Sequence, residues 1–219
     1  MSTDARLSLG VYDYVAGSLP WAFRWIAVLF GRPGNKERGR QELVTAAEKG
    51  ILVADDARVI LILLYMREKR YENAAAILDW LRLRYTGNYL AHLDLAGIAL
   101  LMDQPDKAIA TYQEILRQRD GGEPNYAGLE RAVVYNRLGV AFRKKGDLAS
   151  SIDWLRRALA EPRISARSAV VARLELGKSL DLTGARAEAL ENYRQVIAAE
   201  DFAASRSEAR NLLRRPYKE

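Results

Sequence analysis

Four segments of this chain share one spacing of apolar and small residues, and that spacing limits the folds open to it more than any other feature. Each segment is anchored on a leucine followed by a second apolar or small residue: Leu61-Ile62, Leu95-Ala96, Leu138-Gly139 and Leu176-Gly177. Four residues after the leucine stand Tyr65, Ala99, Phe142 and Leu180. Thirteen after it comes a small residue every time, Ala74, Ala108, Ser151 and Ala189. Four further on are Leu78, Tyr112, Leu155 and Tyr193, and three beyond those Leu81, Ile115, Ala158 and Val196.

Residues four apart share one face of a helix, so the leucine and the residue four later form one apolar stripe. The spacing therefore predicts two helices per segment. The small residue lies where the second helix crosses the first, and the large residue four later fills the gap toward the next pair. Turn signals separate the helices: Lys69-Arg70, Asp103-Gln104-Pro105, Lys145-Gly146-Asp147 and Thr183-Gly184. Pro105 suits the first position of a helix, where a missing N–H costs nothing. Gly146 and Gly184 suit a left-handed helix end.

This pattern resembles the tetratricopeptide repeat, a helix–turn–helix unit of about 34 residues. Leu61 and Leu95 are separated by that period, and the later spacings are longer. The extra residues fall in Gly121-Gly122-Glu123-Pro124-Asn125 and in Glu161-Pro162-Arg163. Ile62, Thr86 and Arg173 depart from the family's usual Gly or Ala, Pro and large apolar residue. A degenerate unit precedes the four, with Phe23, Ile26, Ala27, Phe30, Gly34, Gly39, Leu43 and Ala46 in the same register. The resemblance implies an all-α fold, a right-handed superhelical solenoid of about five antiparallel helix pairs closed by a C-terminal capping helix. The units are placed at 20–50 (degenerate), 55–86, 89–120, 129–162 and 165–200, after an N-terminal segment at 1–19 and before the cap at 203–215. The run from Gly34 to Gly39 also resembles that of bacterial tetratricopeptide proteins of unassigned role.

Composition agrees with helices and narrows the chemistry. Half the residues are apolar, proline is scarce, and Ala, Leu, Arg and Glu are abundant. No cysteine is present, which excludes thiol nucleophiles and Cys-ligated metals. The single histidine, His92, lies between Leu90 and Leu93 and has no evident partners for base catalysis, so a packing role is expected. No phosphate-cradling glycine loop, dinucleotide fingerprint, HExxH or GxSxG occurs. Asp55-Asp56 and Glu200-Asp201 read as helix-end charges rather than an acid/base pair. A non-enzymatic chain without metal or cofactor is expected.

The N-terminus lacks the features of a secretory signal, and a cytoplasmic protein is expected. The apolar run Trp21 to Phe30 is about half the length that crosses a bilayer and contains Arg24, which suits a buried or an interfacial helix.

Stacked pairs of this family present a concave face lined by the first helix of each pair, and they usually hold peptides or helices there. In the first two full repeats that face comprises Val59, Leu63, Met66, Leu93, Gly97, Leu100 and Leu101, almost wholly apolar. Such a surface is expected to be covered by residues 1–19, by a partner helix or by a second copy of the chain, with self-coverage favoured. In the last two repeats it comprises Asn136, Val140, Arg143, Lys144, Leu174, Lys178 and Asp181, polar and partly cationic. The chaperone-type carboxylate clamp is not supported, because Val59, Leu63, Leu93 and Gly97 stand at its positions. A looser acidic peptide remains compatible with Arg143, Lys144 and Lys178.

Residues 137–173 contain nine Lys/Arg and three Asp/Glu, a net of +6 that equals the charge of the whole chain. The primary expectation is a protein–protein scaffold or adaptor that binds a peptide or partner helix, with Asn136, Arg143, Lys144, Lys178, Asp181, Leu63, Met66 and Leu100 as candidate contacts. The alternative is a peripheral membrane or polyanion binder that uses the basic stretch. Nucleic acid is the least expected partner, because the cations fall on several helix faces with few aromatics between them.

Overall fold

The computed structural model describes residues 3–18 and 34–218. The apolar run Trp21 to Phe30, with Phe23, Ile26, Ala27 and Phe30 of the degenerate unit, lies outside the described residues. Among those described the chain is all-α and holds eleven helices. They are α1 (Ala5–Gly17), α2 (Lys36–Lys49), α3 (Ala54–Arg67), α4 (Tyr71–Arg84), α5 (Tyr89–Leu101), α6 (Pro105–Asp120), α7 (Arg131–Lys144), α8 (Leu148–Leu159), α9 (Ala166–Leu182), α10 (Arg186–Ala198) and α11 (Ser205–Arg214). Two compact units divide the chain, Met1–Leu78 and Asp79–Glu219. No described helix is long and apolar enough to cross a membrane.

In the first unit α1 packs against α2, and the two backbones meet at a pair of glycines. A Cβ on Gly39 would lie 2.7 Å from the Gly10 carbonyl oxygen and 2.8 Å from Tyr14 Cα, so only glycine permits the approach. Side chains close the pairing around it. Buried Asp13 accepts two hydrogen bonds from the Arg38 guanidinium, each 2.7 Å, a bidentate geometry that offsets the desolvation of the carboxylate. Tyr14 is buried and donates its hydroxyl to Glu68 at 2.9 Å. Lys36 and Arg40 also reach Glu68, at 2.9 and 3.3 Å. Burial raises the Glu68 carboxyl, but Lys36 and the Tyr14 hydroxyl outweigh it and hold the group below its ordinary value. The N-terminal helix is thus committed to α2, and it does not cover α3: Val59 remains 50% exposed and Leu63 64% exposed. The expected self-coverage is replaced by glycine-mediated pairing with α2, because a helix whose small residues face another helix packs there first.

Each first helix from α3 to α9 ends the same way. The residue eight after the anchoring leucine has positive φ in all four: Lys69 (57°), Asp103 (56°), Gly146 (86°) and Gly184 (80°). The next N–H then reaches back to the carbonyl five residues earlier, from Arg70 to Tyr65 (2.8 Å), Gln104 to Ala99 (2.8 Å), Asp147 to Phe142 (2.9 Å) and Ala185 to Leu180 (2.9 Å). This is the Schellman closure, which satisfies helix-end carbonyls and turns the chain into the second helix. Lys69 and Asp103 adopt the left-handed conformation without being glycine, which is why the sequence marked those two turns weakly.

The second unit packs its core in the register of the repeat. Ala108, Ser151 and Ala189, thirteen after the leucine, are fully buried, as are Tyr112, Leu155 and Tyr193 four further on. The residue after the leucine decides how close the helices come. A Cβ on Gly139 would lie 2.8 and 3.0 Å from the two Leu155 methyl groups, and one on Gly177 would lie 2.8 and 2.9 Å from Tyr193 Cζ and Cδ1. Glycine at the first position therefore makes room for the large residue at the second, a pairing across sixteen residues of sequence. Three buried clusters result: one joins α5, α6 and α7 around Tyr112, Ile115 and Leu138, another joins α8 to α11 around Leu155, Leu176 and Tyr193, and a small one of Ala132, Ala158 and Ala172 links α7, α8 and α9. His92 is buried, with Nδ1 3.0 Å from the Tyr126 hydroxyl and its ring edge-on to that tyrosine. Burial and then the charge of Arg82 push its pKa below the ordinary value, which keeps the imidazole neutral and packed.

Candidate interaction face

Helices α7 and α9, the first helices of successive pairs, run side by side in the second unit, and their N-termini are tied together. Glu130, just before α7, accepts from the Ser165 backbone N–H (2.7 Å), the Ser165 hydroxyl (2.9 Å) and the Ser168 hydroxyl (3.0 Å) at the start of α9. Ser165 also caps α9 through the Ser168 N–H. Further along α7, Asn136 donates to the Ser168 carbonyl at 2.9 Å.

Two turns beyond Asn136 lies a charged cluster. The Arg143 guanidinium, almost fully buried, donates to the Glu175 carboxylate at 2.5 Å and to the Glu175 carbonyl at 3.2 Å. Lys178 binds the other Glu175 oxygen at 2.7 Å and Glu208 of α11 at 2.7 Å. Burial raises the Glu175 carboxyl and lowers the Lys178 ammonium, but the opposite charges prevail: Glu175 lies below its ordinary value and Lys178 above. One turn on, Asp181 accepts from Arg186 at 2.8 Å and from the Tyr193 hydroxyl at 2.8 Å.

The segment after α11 lies across this cluster. Arg215 is extended (φ −136°, ψ 126°), as the following Pro216 requires. The Tyr217 N–H then donates to Asp181 at 2.8 Å, while the Tyr217 ring lies 5.3 Å from the Arg143 guanidinium and 5.8 Å from the Lys178 ammonium. Arg186 holds the preceding turn through the Leu212 and Leu213 carbonyls at 2.7 and 3.0 Å.

Arg143, Lys178 and Asp181 are thus brought together, with Asn136 farther up the same pair of helices. Lys144, next to Arg143, is exposed. Leu100 packs half-buried against the cluster around Tyr112. Leu63 and Met66 belong to α3 in the first unit, Leu63 exposed and Met66 half-buried. Sequence reasoning missed Glu175, Glu208, Arg186 and Tyr217. A signal existed for Glu175, three residues before Lys178 on one helix face. Tyr217 sits in a short polar run and carried none.

The basic stretch 137–173 spreads over α7, α8 and α9 and is partly neutralised from outside itself. Glu175 takes Arg143, Asp106 takes Lys145 at 2.6 Å, and Glu188 takes Arg156 at 2.7 Å.

A tetratricopeptide-repeat profile matches residues 88–160, about a third of the chain, from Asn88 at the N-cap of α5 to Ala160 at the C-cap of α8. The match covers the helix pairs whose buried positions follow the repeat register. Residues 88–160 thus carry tetratricopeptide repeats. A solved structure described as "MamA RS-1 ArsTM double mutant" is similar to it with a TM-score of 0.52, over 85% of this chain and 94% of the other, at 16% identity. At that identity the likeness concerns the fold alone. No curated protein sequence matches the chain. The tetratricopeptide array is a fold of protein–protein interaction scaffolds, and the α7–α9 face lies on the first helices of its pairs.

Proposed function

We propose that this tetratricopeptide protein is a non-enzymatic scaffold that holds an extended segment of a partner protein along the face shared by α7 and α9. One observation carries the reading: the short segment after α11, extended at Arg215, already reaches that face, where Tyr217 is held by backbone and ring contacts to Asp181, Arg143 and Lys178. A surface that accepts an extended backbone through a carboxylate, and an aromatic ring through two cations, has the chemistry of a peptide acceptor.

Selection of displayed peptides on the full chain tests the proposal, with the bound peptides then photo-cross-linked. Cross-links on α7 and α9 are expected, and their loss when Asn136, Lys144 and Lys178 are changed together would follow. Enrichment of no peptide, or cross-links confined to other helices, would refute it.

A further inference from the structure

From the same cluster we infer that residues 215–218 are a displaceable strap, and that the partner segment which replaces them is an extended peptide bearing an aromatic side chain. This inference rests on the peptide-acceptor reading of the α7–α9 face and specifies what that face accepts.

The strap is held unlike the core beneath it. Pro216 cannot donate a backbone hydrogen bond, and Arg215, Pro216 and Lys218 are exposed. Tyr217 alone reaches inward, through its N–H and its ring. The groups it meets are fixed without it. Arg143 and Lys178 are locked on Glu175, and Asp181 is held by Arg186 and the Tyr193 hydroxyl. Departure of Tyr217 therefore leaves a preformed acceptor: a carboxylate that takes an N–H, beside two cations that take a ring face. Both cations already have carboxylate partners, so an acidic side chain gains little there, whereas a neutral aromatic ring adds to the pairs without competing with them. This shifts the expected partner from an acidic peptide to an aromatic one.

Helix α11 sets how strongly the strap competes. It ends at Arg214, only three residues before Tyr217, and the Arg186 contacts to Leu212 and Leu213 aim the exit. A tether that short gives the ring an effective concentration on the order of millimolar. An external peptide of comparable intrinsic affinity must overcome that occupancy, so the strap sets a threshold for partner binding.

The probe is a fluorescein-labelled peptide of the sequence Leu213–Lys218, read by anisotropy against three proteins: the full chain, the chain ending at Arg214, and the full chain with Tyr217→Ala. The chain ending at Arg214 and the Tyr217→Ala chain are expected to bind the peptide about tenfold more tightly than the full chain does. A peptide with alanine in place of its tyrosine should bind either of them at least about fivefold more weakly. Should truncation disturb α11, seen by circular dichroism, the Tyr217→Ala chain decides. Equal affinity of the full and Tyr217→Ala chains overturns the strap, and equal binding of the tyrosine and alanine peptides overturns the aromatic specificity. Display-selected peptides that cross-link to α7 and α9 yet bind all three proteins equally would remove the strap and leave the acceptor face standing. Failure of every peptide on every protein would remove both.

Discussion

Replacing Gly177 with alanine tests the packing rule on which the second unit is built. Two effects oppose each other. Alanine gains about 1 kcal/mol over glycine within a helix, from backbone entropy and propensity. Against that, the new methyl would press on the Tyr193 ring, with Cζ and Cδ1 at 2.8 and 2.9 Å. Tyr193 has little room to yield: it is fully buried among Leu155, Leu176 and Val196, and its hydroxyl is fixed on Asp181 at 2.8 Å. Overpacking of a core typically costs about 1–3 kcal/mol, and the rigid ring places this site at the upper end. The net expectation is a loss of about 1–2 kcal/mol.

Gly97 on α5 provides the control within the same unit. The nearest atom to a Cβ built there is the Tyr112 hydroxyl oxygen at 3.9 Å, an ordinary contact. Gly97→Ala should therefore collect the propensity gain alone and stabilise by about 1 kcal/mol. The two variants carry the same chemical change and should shift stability in opposite directions, about 2–3 kcal/mol apart. In a urea titration followed by circular dichroism, with a slope of about 2 kcal/mol/M, that separation is about 1–1.5 M between midpoints. A Gly177→Ala midpoint at or above that of Gly97→Ala would refute the rule that glycine makes room for the large residue sixteen positions later.

Other perturbations probe different parts of the array. Ala108 is fully buried at the helix crossing, so Ala108→Leu should cost about 1–3 kcal/mol in the same titration, and a wild-type midpoint would mean that this crossing is not tight. Asp103 closes α5 with a left-handed φ of 56°, so Asp103→Gly should relieve backbone strain and raise the thermal midpoint, with a net gain of about 0.5–1 kcal/mol. His92 has a pKa held below its ordinary value of about 6.5, so in acid the unfolded chain binds the proton first. Stability is then unaffected above that value and declines as pH falls below it toward the lower folded pKa. The urea midpoint of the wild type should drop more between about pH 7.5 and about pH 5 than that of His92→Phe, and equal drops would show that the imidazole titrates freely.

Much of the array was legible in the chain because the repeat signal is local. Residues four, thirteen and seventeen after each leucine are related by helix geometry and one short turn, so spacing alone placed Tyr112, Leu155 and Tyr193 one turn after the small residue of the second helix; that Leu155 and Tyr193 press on Gly139 and Gly177 of their own first helix came from the fold. The glycines at 146 and 184 announced their turns. Lys69-Arg70 and Asp103-Gln104-Pro105 marked their turns too, but not the left-handed φ that Lys69 and Asp103 adopt there, a conformation most residues avoid. The first unit was less legible. The apolar residues of α1 suggested a segment that covers the face of α3, whereas Gly10 and Gly39 allow a backbone approach that directs α1 to α2 instead.

The charged residues of the last two repeats divide most clearly between what a sequence determines and what a fold decides. Spacing put Asn136, Arg143, Lys178 and Asp181 on the first helices of their pairs, and nothing beyond the chain was needed for that. Their partners come from residues far along the chain, as Tyr217 does for Arg143 and Asp181. Periodicity reports which face of a helix a residue occupies. It is silent on which charges meet when α7, α9 and α11 converge, because Coulomb attraction and burial act through space rather than along the chain. That is why the sequence offered an open cationic groove and the fold returned an internally paired one, crossed by a strap.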